Sequence, residues 1–472
     1  MAMAPDTIKR APDRWIFYLL LALIAWVPLP FGSNRPWAWS IMEIWIFLLS
    51  IVWLITFIAG KVSFTPVFKK ATPVLFLFCL WLVHIAFQVV PLSTDTLSSI
   101  SPQAAEMYSK LDTVPEKASI SVDPYATQTG LVQSVAYVLF FSLCLLLVNR
   151  RRRIIQLASV MIFSGLLQAL YGSLMHMSGL GYGFFIKHGA VLQQVCGTFI
   201  NRNHLAAFLV MCLAVGIGMM IAKLATETTD TWKKRFLSFL QLLMGPKFRL
   251  RLYLVIMVIA LVMTHSRMGN TAFFSSLLIA GAIGLLLSKH APRSTVILLV
   301  SLIVIDVFIV GTWFGIEKVA ERIEQTTMQT ESRVIAAPHN IDYWQDYKLT
   351  GSGLGSFYTV FPQYRQHDVG GFFRHTENDY LEFINETGAI GLGLLGLMIV
   401  VTLLIALRAQ YKRKDPLMRG VSFAVIMAMS AILIHASVEF NLQIPANVLY
   451  FLTILSMAWL SLYLKTEKSK SI

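Results

Sequence analysis

Cysteine is one of the scarcest residues in this chain, with only four among 472 residues. Three of them, Cys79, Cys144 and Cys212, lie inside long apolar runs, and Cys196 lies outside such runs. A disulfide needs two cysteines on the same side of a membrane, in an oxidising compartment. The sequence therefore predicts no intrachain disulfide pair.

Charged residues are also few, at 14% of the chain against about 25% in average soluble proteins. Hydrophobic residues reach 56%, and the mean hydropathy is +0.66. This composition excludes a set of soluble domains and favours one integral membrane domain over residues 1–472. A bilayer core needs roughly 20 apolar residues per helix. The sequence predicts an all-α, polytopic transmembrane protein with about twelve spans, at 15–31, 37–59, 72–91, 128–148, 154–175, 204–222, 251–265, 271–288, 294–315, 387–407, 417–438 and 446–464.

Metal-binding and nucleic-acid-binding patterns are missing as well. The predicted outer segments contain no Asp-x-Asp, His-Glu-x-x-His or Cys/His spacing that would hold a cation, so no metal or cofactor is predicted. His84 and His435 fall inside spans and are expected to be hydrogen-bonded packing groups. No basic stripe is interleaved with aromatic residues, which argues against a nucleic-acid partner.

The distribution of Lys and Arg predicts the topology, because cytoplasmic loops carry the basic excess. With the N-terminus inside, most of the 39 basic residues fall on the cytoplasmic side, including Arg150–Arg153 and Lys412–Lys414. The run Arg150–Arg153 is expected to fix topology, or else to touch anionic lipid. The first span lacks a small-residue cleavage site, so we expect it to remain as an anchor.

Three clusters of polar and charged residues then fall on the extracytoplasmic side. They are Asn201–His204, His265–Arg267 and the segment 372–391. The outer loops are expected at 92–127 and, as a larger loop, at 316–386. In the larger loop, residues 317–333 and 339–349 predict short helices. The glycine-rich run 351–356 predicts a tight turn rather than a phosphate-binding loop, because a strand and helix do not flank it.

Arginine beside a membrane suits phosphate, since its planar guanidinium binds phosphate oxygens through two parallel hydrogen bonds. Two or three arginines that converge on a diphosphate can stabilise it as a leaving group without a metal ion. The alternative is that Arg202 and Arg267 reach lipid headgroups or pair with Glu439 and Glu382.

Five motifs, in order, resemble the superfamily of O-antigen ligases and polymerases. They are Gly-Thr-Phe-Ile-Asn-Arg-Asn-His-Leu-Ala (197–206), Ser-Arg-Met-Gly (266–269), Gly-Ser-Gly-Leu-Gly-Ser-Phe (351–357), His-Thr-Glu-Asn-Asp-Tyr-Leu-Glu-Phe (375–383) and Val-Glu-Phe-Asn-Leu-Gln-Ile-Pro-Ala-Asn (438–447). The resemblance implies a helical glycosyltransferase that acts outside the bacterial inner membrane. Its donor would be a glycan linked to undecaprenyl diphosphate.

The same resemblance implies roles for individual residues. Arg202 and Arg267 look like the diphosphate-binding arginines, and residues 375–383 look like the catalytic motif. Members of the family commonly have histidine at the position of Glu377, and many have aspartate at that of Glu439. Either His375 or Glu377 can serve as general base, and we expect His375 to do so with Glu377 orienting it. The further candidate substrate-binding residues are Asn201, His204, Arg365, Arg374, Asn378, Tyr380 and Glu439.

The acceptor separates the two leading functions. A ligase must bring phosphate-rich lipid A-core to an outer face whose predicted net charge is negative, whereas a polymerase extends another lipid-linked glycan. The sequence therefore favours polymerisation of polysaccharide repeat units, with ligation to lipid A-core or protein as the alternative. A lipid-glycan flippase is the non-enzymatic alternative, but no internal repeat supports it. Tyr380 and Trp344 could stack on sugar rings, although packing roles are also open.

Overall fold

The computed structural model describes residues 12–180, 182–183, 186–187, 194–224, 246–287, 327–365 and 373–465. In this part of the chain nearly all regular structure is helical. The helices are α1 (Arg14–Trp26), α2 (Pro36–Ile58), α3 (Pro66–Lys70), α4 (Thr72–Gln88), α5 (Thr94–Ile100), α6 (Pro102–Ser109), α7 (Pro124–Leu147), α8 (Arg151–Ser178), α9 (Arg202–Leu224), α10 (Pro246–Met263), α11 (Arg267–Leu286), α12 (Thr327–Asp346), α13 (Phe357–Val360), α14 (Asp379–Lys412), α15 (Pro416–His435) and α16 (Pro445–Tyr463). Short 3-10 helices cover Phe31–Ser33, Phe361–Gln363 and Asn441–Gln443. Two antiparallel pairs of two-residue strands complete the fold, Leu92–Ser93 with Lys117–Ala118 and Tyr182–Gly183 with Ile186–Lys187.

The all-α prediction is confirmed, and long helices lie at the positions of the apolar runs. Eight of the described helices are long and apolar enough to cross a membrane, namely α2, α7, α8, α9, α11, α14, α15 and α16. The apolar helices α1 and α4 are shorter, with 13 and 17 residues. The predicted span 294–315 lies outside the described residues, so the total of about twelve spans stays a prediction.

The helices α9, α15 and α16 form the centre of the bundle, and nearly all of their side chains are buried. Helices α9 and α15 approach closely at two glycines: a Cβ on Gly218 would lie 2.2 Å from the carbonyl oxygen of Gly420, and a Cβ on Gly420 would lie 2.2 Å from that of Gly218. Small residues at such crossings let membrane helices pack backbone against backbone. The backbones of α9 and α15 therefore pack directly against each other.

A second, smaller core lies between helices α5, α6, α12 and α13, on one end of the bundle. Its buried side chains include Leu97, Ala104, Ile120, Tyr343, Phe357 and Phe361. The predicted helix 339–349 corresponds to the C-terminal part of α12, which ends at Asp346. Of the predicted helix 317–333, residues 327–333 belong to the same helix and the rest lies outside the described residues.

Helix α14 begins earlier than predicted and is kinked at Gly388, where φ is 63° and ψ is −173°. The kink lies against the glycine turn: a Cβ on Gly388 would meet the carbonyl oxygen of Leu349 at 2.1 Å. His84 Nε2 lies 2.9 Å from the carbonyl oxygen of Thr387, which confirms the prediction that His84 is a hydrogen-bonded packing group. Backbone oxygens exposed by a kink need such side-chain partners inside a membrane bundle.

The basic run 150–153 has a role that the sequence did not reveal. Arg153 is buried, its Nη1 and Nη2 lie 2.6 and 2.8 Å from the two carboxylate oxygens of Asp13, and Nη1 also donates to the carbonyl oxygen of Leu147 at 2.6 Å. Its guanidinium lies 4.8 Å from the ring centre of Phe17. Arg153 therefore joins α1 to α8 inside the protein and does not serve as a lipid-facing charge.

Removing Asp13 is expected to destabilise the protein strongly, because it leaves the Arg153 guanidinium buried without its carboxylate. Breaking one side of a buried pair typically costs about 3–5 kcal/mol. We expect Asp13→Ala to lower the thermal unfolding temperature in detergent, and the double change Asp13→Ala, Arg153→Met to recover much of it. Lys110→Ala, which removes the exposed pair with Glu106, is the control. Equal melting temperatures for wild type and Asp13→Ala would contradict a structural role for the pair.

Candidate functional site

Asn378 starts helix α14 and fixes its first turn. Its Oδ1 accepts hydrogen bonds from the backbone N–H groups of Tyr380 at 3.0 Å and Leu381 at 3.1 Å, and its Nδ2 donates to the carbonyl oxygen of Ser437 at 2.8 Å. Asparagine is a favoured N-cap because its short side chain satisfies these otherwise unpaired donors. Asn378 was a candidate substrate ligand, and in the structure its side chain holds the helix start in place.

The imidazole of His375 pairs with a carboxylate of the same segment. His375 Nδ1 lies 2.6 Å from Glu382 Oε1, and Glu382 Oε2 accepts from the backbone N–H of Thr376 at 3.0 Å. Side chains in a helix point back towards its N-terminus, so Glu382 in the first turns of α14 reaches the residues before the helix. Glu382 is buried, whereas the side chain of His375 is 23% exposed. The sequence assigned the orienting role to Glu377, but the carboxylate on Nδ1 is Glu382.

This pair has the geometry of an activated histidine. When Nδ1 carries the proton and donates it to the carboxylate, Nε2 is left with a free lone pair and can accept a proton. Glu377 lies between His375 and the helix with a left-handed backbone, at φ 55°. Such backbone conformations cost about 1–3 kcal/mol in residues other than glycine and cluster at functional sites.

The ring of Phe440 separates two histidines. His375 stacks on it with ring centres 4.4 Å apart and planes 19° apart, and His204 contacts it edge-on at 4.7 Å and 75°. His204 was a candidate substrate ligand, but only 3% of it is exposed. Phe440 therefore connects the segment before α14 to the first turn of α9. The sequence-based set of site residues did not include Phe440, although it lies in the motif 438–447.

Glu439 is buried beside the start of α9. Its Oε1 lies 3.5 Å from His204 Nε2, and its Oε2 accepts a hydrogen bond from the side-chain amide of Asn203. Asn201 Oδ1 accepts a hydrogen bond from the backbone N–H of Asn203 at 2.8 Å. Asn201 therefore caps the N-terminus of this helix, whose first residue is Arg202. These bonds hold the turn that carries Arg202. Asn203 is a second site residue that the set lacked, and it too lies in a quoted motif.

The segment 375–382 is also attached to the loop after α15 through Asp379 and Tyr380. The carboxylate of the buried Asp379 accepts from the backbone N–H of Leu442 at 3.1 and 3.2 Å. The hydroxyl of Tyr380 donates to the carbonyl oxygen of Leu433 at 2.8 Å, while its ring remains 37% exposed. These hydrogen bonds thus join the segment 375–383 to α15 and the loop after it, and to the motif 438–447.

Arg202 and Arg267 each occupy the first position of a helix, α9 and α11 respectively. The N-terminal parts of these helices are in contact, since a Cβ on Gly269 would lie 2.6 Å from Cβ of Ala206. Helix N-termini attract anions because their unpaired N–H groups and the helix dipole are positive there. The two arginines therefore stand at neighbouring helix ends that favour negative charge. Among the other candidates, Arg365 and Arg374 are exposed.

The glycine run 351–356 forms the predicted turn, and its amides are occupied by protein groups. Gly351, Gly353 and Gly355 all have positive φ, at 72°, 111° and 83°. The turn is held by hydrogen bonds from Ser352 N to Asn385 O, Gly353 N to Glu386 O, Leu354 N to Gln88 Oε1 and Phe357 N to Glu386 Oε1, at 2.9–3.1 Å. The turn therefore joins α4, α13 and α14, as expected for a structural element rather than a phosphate-binding loop.

Comparison with protein families gives one match. Residues 252–396 match the family model described as O-antigen ligase. The matched range contains the motifs at 266–269, 351–357 and 375–383, whereas the motifs at 197–206 and 438–447 lie outside it. This match confirms the resemblance that the five motifs indicated. No curated protein matched the chain.

Proposed function

We propose that this chain, a member of the superfamily of O-antigen ligases and polymerases, transfers a glycan from undecaprenyl diphosphate to an acceptor hydroxyl. The multiple apolar helices and the family indicate a multi-pass protein of the inner membrane. The single observation that carries the proposal is the pair formed by His375 and Glu382, which Phe440 connects to the helix end that bears Arg202. This arrangement connects the proposed base, His375, to the proposed anion-binding group, Arg202.

The proposed reaction is a direct displacement. Glu382 holds Nδ1 of His375, and Nε2 takes the proton of the acceptor hydroxyl as its oxygen attacks the anomeric carbon. The bond from that carbon to the diphosphate oxygen breaks, and undecaprenyl diphosphate leaves with the bonding electrons. Attack opposite the leaving group inverts the configuration at the anomeric carbon.

Arg202 and Arg267 are proposed to bind the diphosphate, on which negative charge develops as the bond breaks. Two unit charges 4 Å apart interact by about 4 kcal/mol at an effective dielectric constant near 20. Two such contacts can account for much of the stabilisation that a leaving diphosphate needs. The exposed Arg365 and Arg374 are proposed as further phosphate or glycan contacts from the outer loop. The half-buried Asn201 and the buried His204 and Glu439 would act by positioning Arg202.

Polymerisation of repeat units remains our preferred activity, with ligation to lipid A-core or protein as the alternative. The purified chain should be incubated with undecaprenyl-diphosphate-linked repeat units, with and without lipid A-core. Longer carrier-linked glycans formed without lipid A-core would support a polymerase, whereas glycan found only on lipid A-core would support a ligase. An unchanged donor in both reactions would contradict the proposed transfer.

The proposed topology places the catalytic segment and the second core outside the cytoplasmic membrane. We expect cysteines introduced at the exposed Ser109 and Gln345 to react with a membrane-impermeant maleimide in intact cells, and a cysteine at the exposed Tyr411 to react only after permeabilisation. Background from Cys196 should be low, because burial raises the pKa of its thiol to about 11. The unmodified chain is the control. Labelling of Tyr411→Cys in intact cells would show that the topology is the reverse of the one proposed. The site would then not lie on the outer face.

A further inference from the structure

An open cleft of about 680 Å³, with both polar and apolar lining, lies between helix α6 and the 3-10 helix Phe361–Gln363. It is lined by Gln103, Met107, Lys110, Gln363 and Tyr364. The cleft belongs to the outer layer built on the second core and is separate from the pair of His375 and Glu382. The mechanism described above gives it no role.

The residues of this cleft have the chemistry that recognises sugars. The amides of Gln103 and Gln363 each donate and accept hydrogen bonds, as sugar hydroxyls do. The apolar faces of Met107 and the Tyr364 ring can pack against the C–H face of a pyranose. The ammonium of Lys110 lies 2.8 Å from Glu106 on the same helix, so its charge is locally balanced. This lining suits a neutral or weakly charged glycan better than a phosphate.

The aromatic wall of the cleft is rigid. The ring of Tyr364 stacks on the buried Tyr343 with centres 5.1 Å apart and planes 9° apart, and its hydroxyl donates to Asp346 at 2.6 Å. Burial and the hydrogen bond to Asp346 raise the pKa of Tyr364, so it stays a neutral donor. A side chain fixed before binding loses little conformational entropy when a ligand arrives.

The cleft is connected to the catalytic segment through the second core. Phe361, which begins the 3-10 helix that carries Gln363, contacts Phe373 with ring centres 6.0 Å apart. Phe373 precedes His375 by two residues. A glycan whose first sugar reacts at His375 must place its remaining sugars over this outer layer, because its lipid carrier stays in the membrane.

We propose that this cleft is a glycan subsite that holds sugars remote from the reacting bond. The inference rests on the proposed function, because it assigns the cleft to the glycan of the same donor or acceptor. Its consequence is that affinity for the glycan depends on the number of sugars. Binding energy from remote sugars can then position the reacting end of a long substrate.

Kinetics with donors of different length test the subsite. The double change Gln103→Ala, Gln363→Ala removes both amides, and Gln363→Trp fills the cleft. Gln128→Ala, at an exposed position of α7 outside the cleft, is the matched control. For donors of several repeat units, we expect the two cleft variants to raise KM on the order of tenfold, which is the effect of losing one or two hydrogen bonds. The rise should be much smaller for single-repeat donors. Equal KM values for cleft variants and control at every donor length would overturn the subsite.

Direct binding separates failure of the subsite from failure of the proposed function. The probe is a pool of carrier-free oligosaccharides, which mild acid releases from the lipid-linked glycan of the cells that supply the donor. The full chain is held in nanodiscs. If wild type transfers no donor, the proposed function fails, and this measurement alone decides about the cleft. Weaker oligosaccharide binding by both cleft variants than by Gln128→Ala would support the subsite. No binding by wild type, or equal binding by all variants, would overturn it.

Discussion

Replacing Arg202 or Arg267 by lysine is expected to reduce glycan transfer by about 100- to 1000-fold, the usual effect of removing one group that stabilises developing negative charge. Lysine keeps the positive charge but offers no planar fork for two phosphate oxygens. Both arginines begin helices whose N-terminal parts touch, so each change acts on the same proposed diphosphate site. The measurement is the initial rate of transfer by purified protein.

Arg408→Lys is the matched control for these changes, because Arg408 is exposed near the opposite end of α14. We expect it to retain wild-type activity. All three variants should unfold at the wild-type temperature, which excludes misfolding as the cause of a loss. Near-normal transfer by both Arg202→Lys and Arg267→Lys would contradict the proposed site for the leaving diphosphate. The two arginines would then be contacts to lipid headgroups.

Replacing His375 by glutamine is expected to reduce single-turnover transfer by about 100- to 10,000-fold, the usual contribution of a general base. The pH profile should change as well. A free imidazole loses its proton at about pH 6.5 and a free carboxyl at about pH 4.3, so the acidic limb of the rate profile distinguishes the two kinds of base. We expect the limb to disappear in His375→Gln and to persist in Glu377→Gln.

Glu382→Gln tests the positioning of the histidine. Without the carboxylate that holds Nδ1, the imidazole loses its fixed orientation, so the single-turnover rate should fall while the KM for the donor stays near its wild-type value. A residue with only a structural role would lower the amount of active protein without lowering the rate per active molecule. His176→Gln, on helix α8, is the control for loss of a histidine elsewhere. Full activity in both His375→Gln and Glu377→Gln would place the base elsewhere.

The apolar runs predicted the eight described helices that are long and apolar enough to cross a membrane, because such a helix must satisfy its backbone internally and needs a long apolar stretch. The start of α14 was less predictable. Hydropathy begins the span at 387, since Asp379, Glu382 and Glu386 are charged, yet the helix begins at Asp379. Each of these carboxylates accepts hydrogen bonds from specific partners. A hydropathy average takes no account of such partners.

The sequence motifs supplied the candidate site residues, but the contacts between those residues could not be read from the sequence. The motifs identified His375, Arg202 and Arg267 because they occur in short, ordered patterns. The pairing of His375 with Glu382 depends on where α14 begins, and the contact with Phe440 joins segments far apart in the chain. The buried pair of Arg153 and Asp13 was missed for the same reason, since a run of basic residues predicts topology and not a long-range partner.

The release of undecaprenyl diphosphate tests the central claim most directly. Purified protein in detergent should be mixed with a donor of defined anomeric configuration, and both the released carrier and the new glycosidic bond should be quantified. We expect one carrier released for each bond formed, with inverted configuration at the linked carbon, and both products formed about 100-fold or more slower with His375→Gln. A donor that remains intact in solution, yet crosses a membrane when the protein is placed in vesicles, would contradict the account and indicate a transporter.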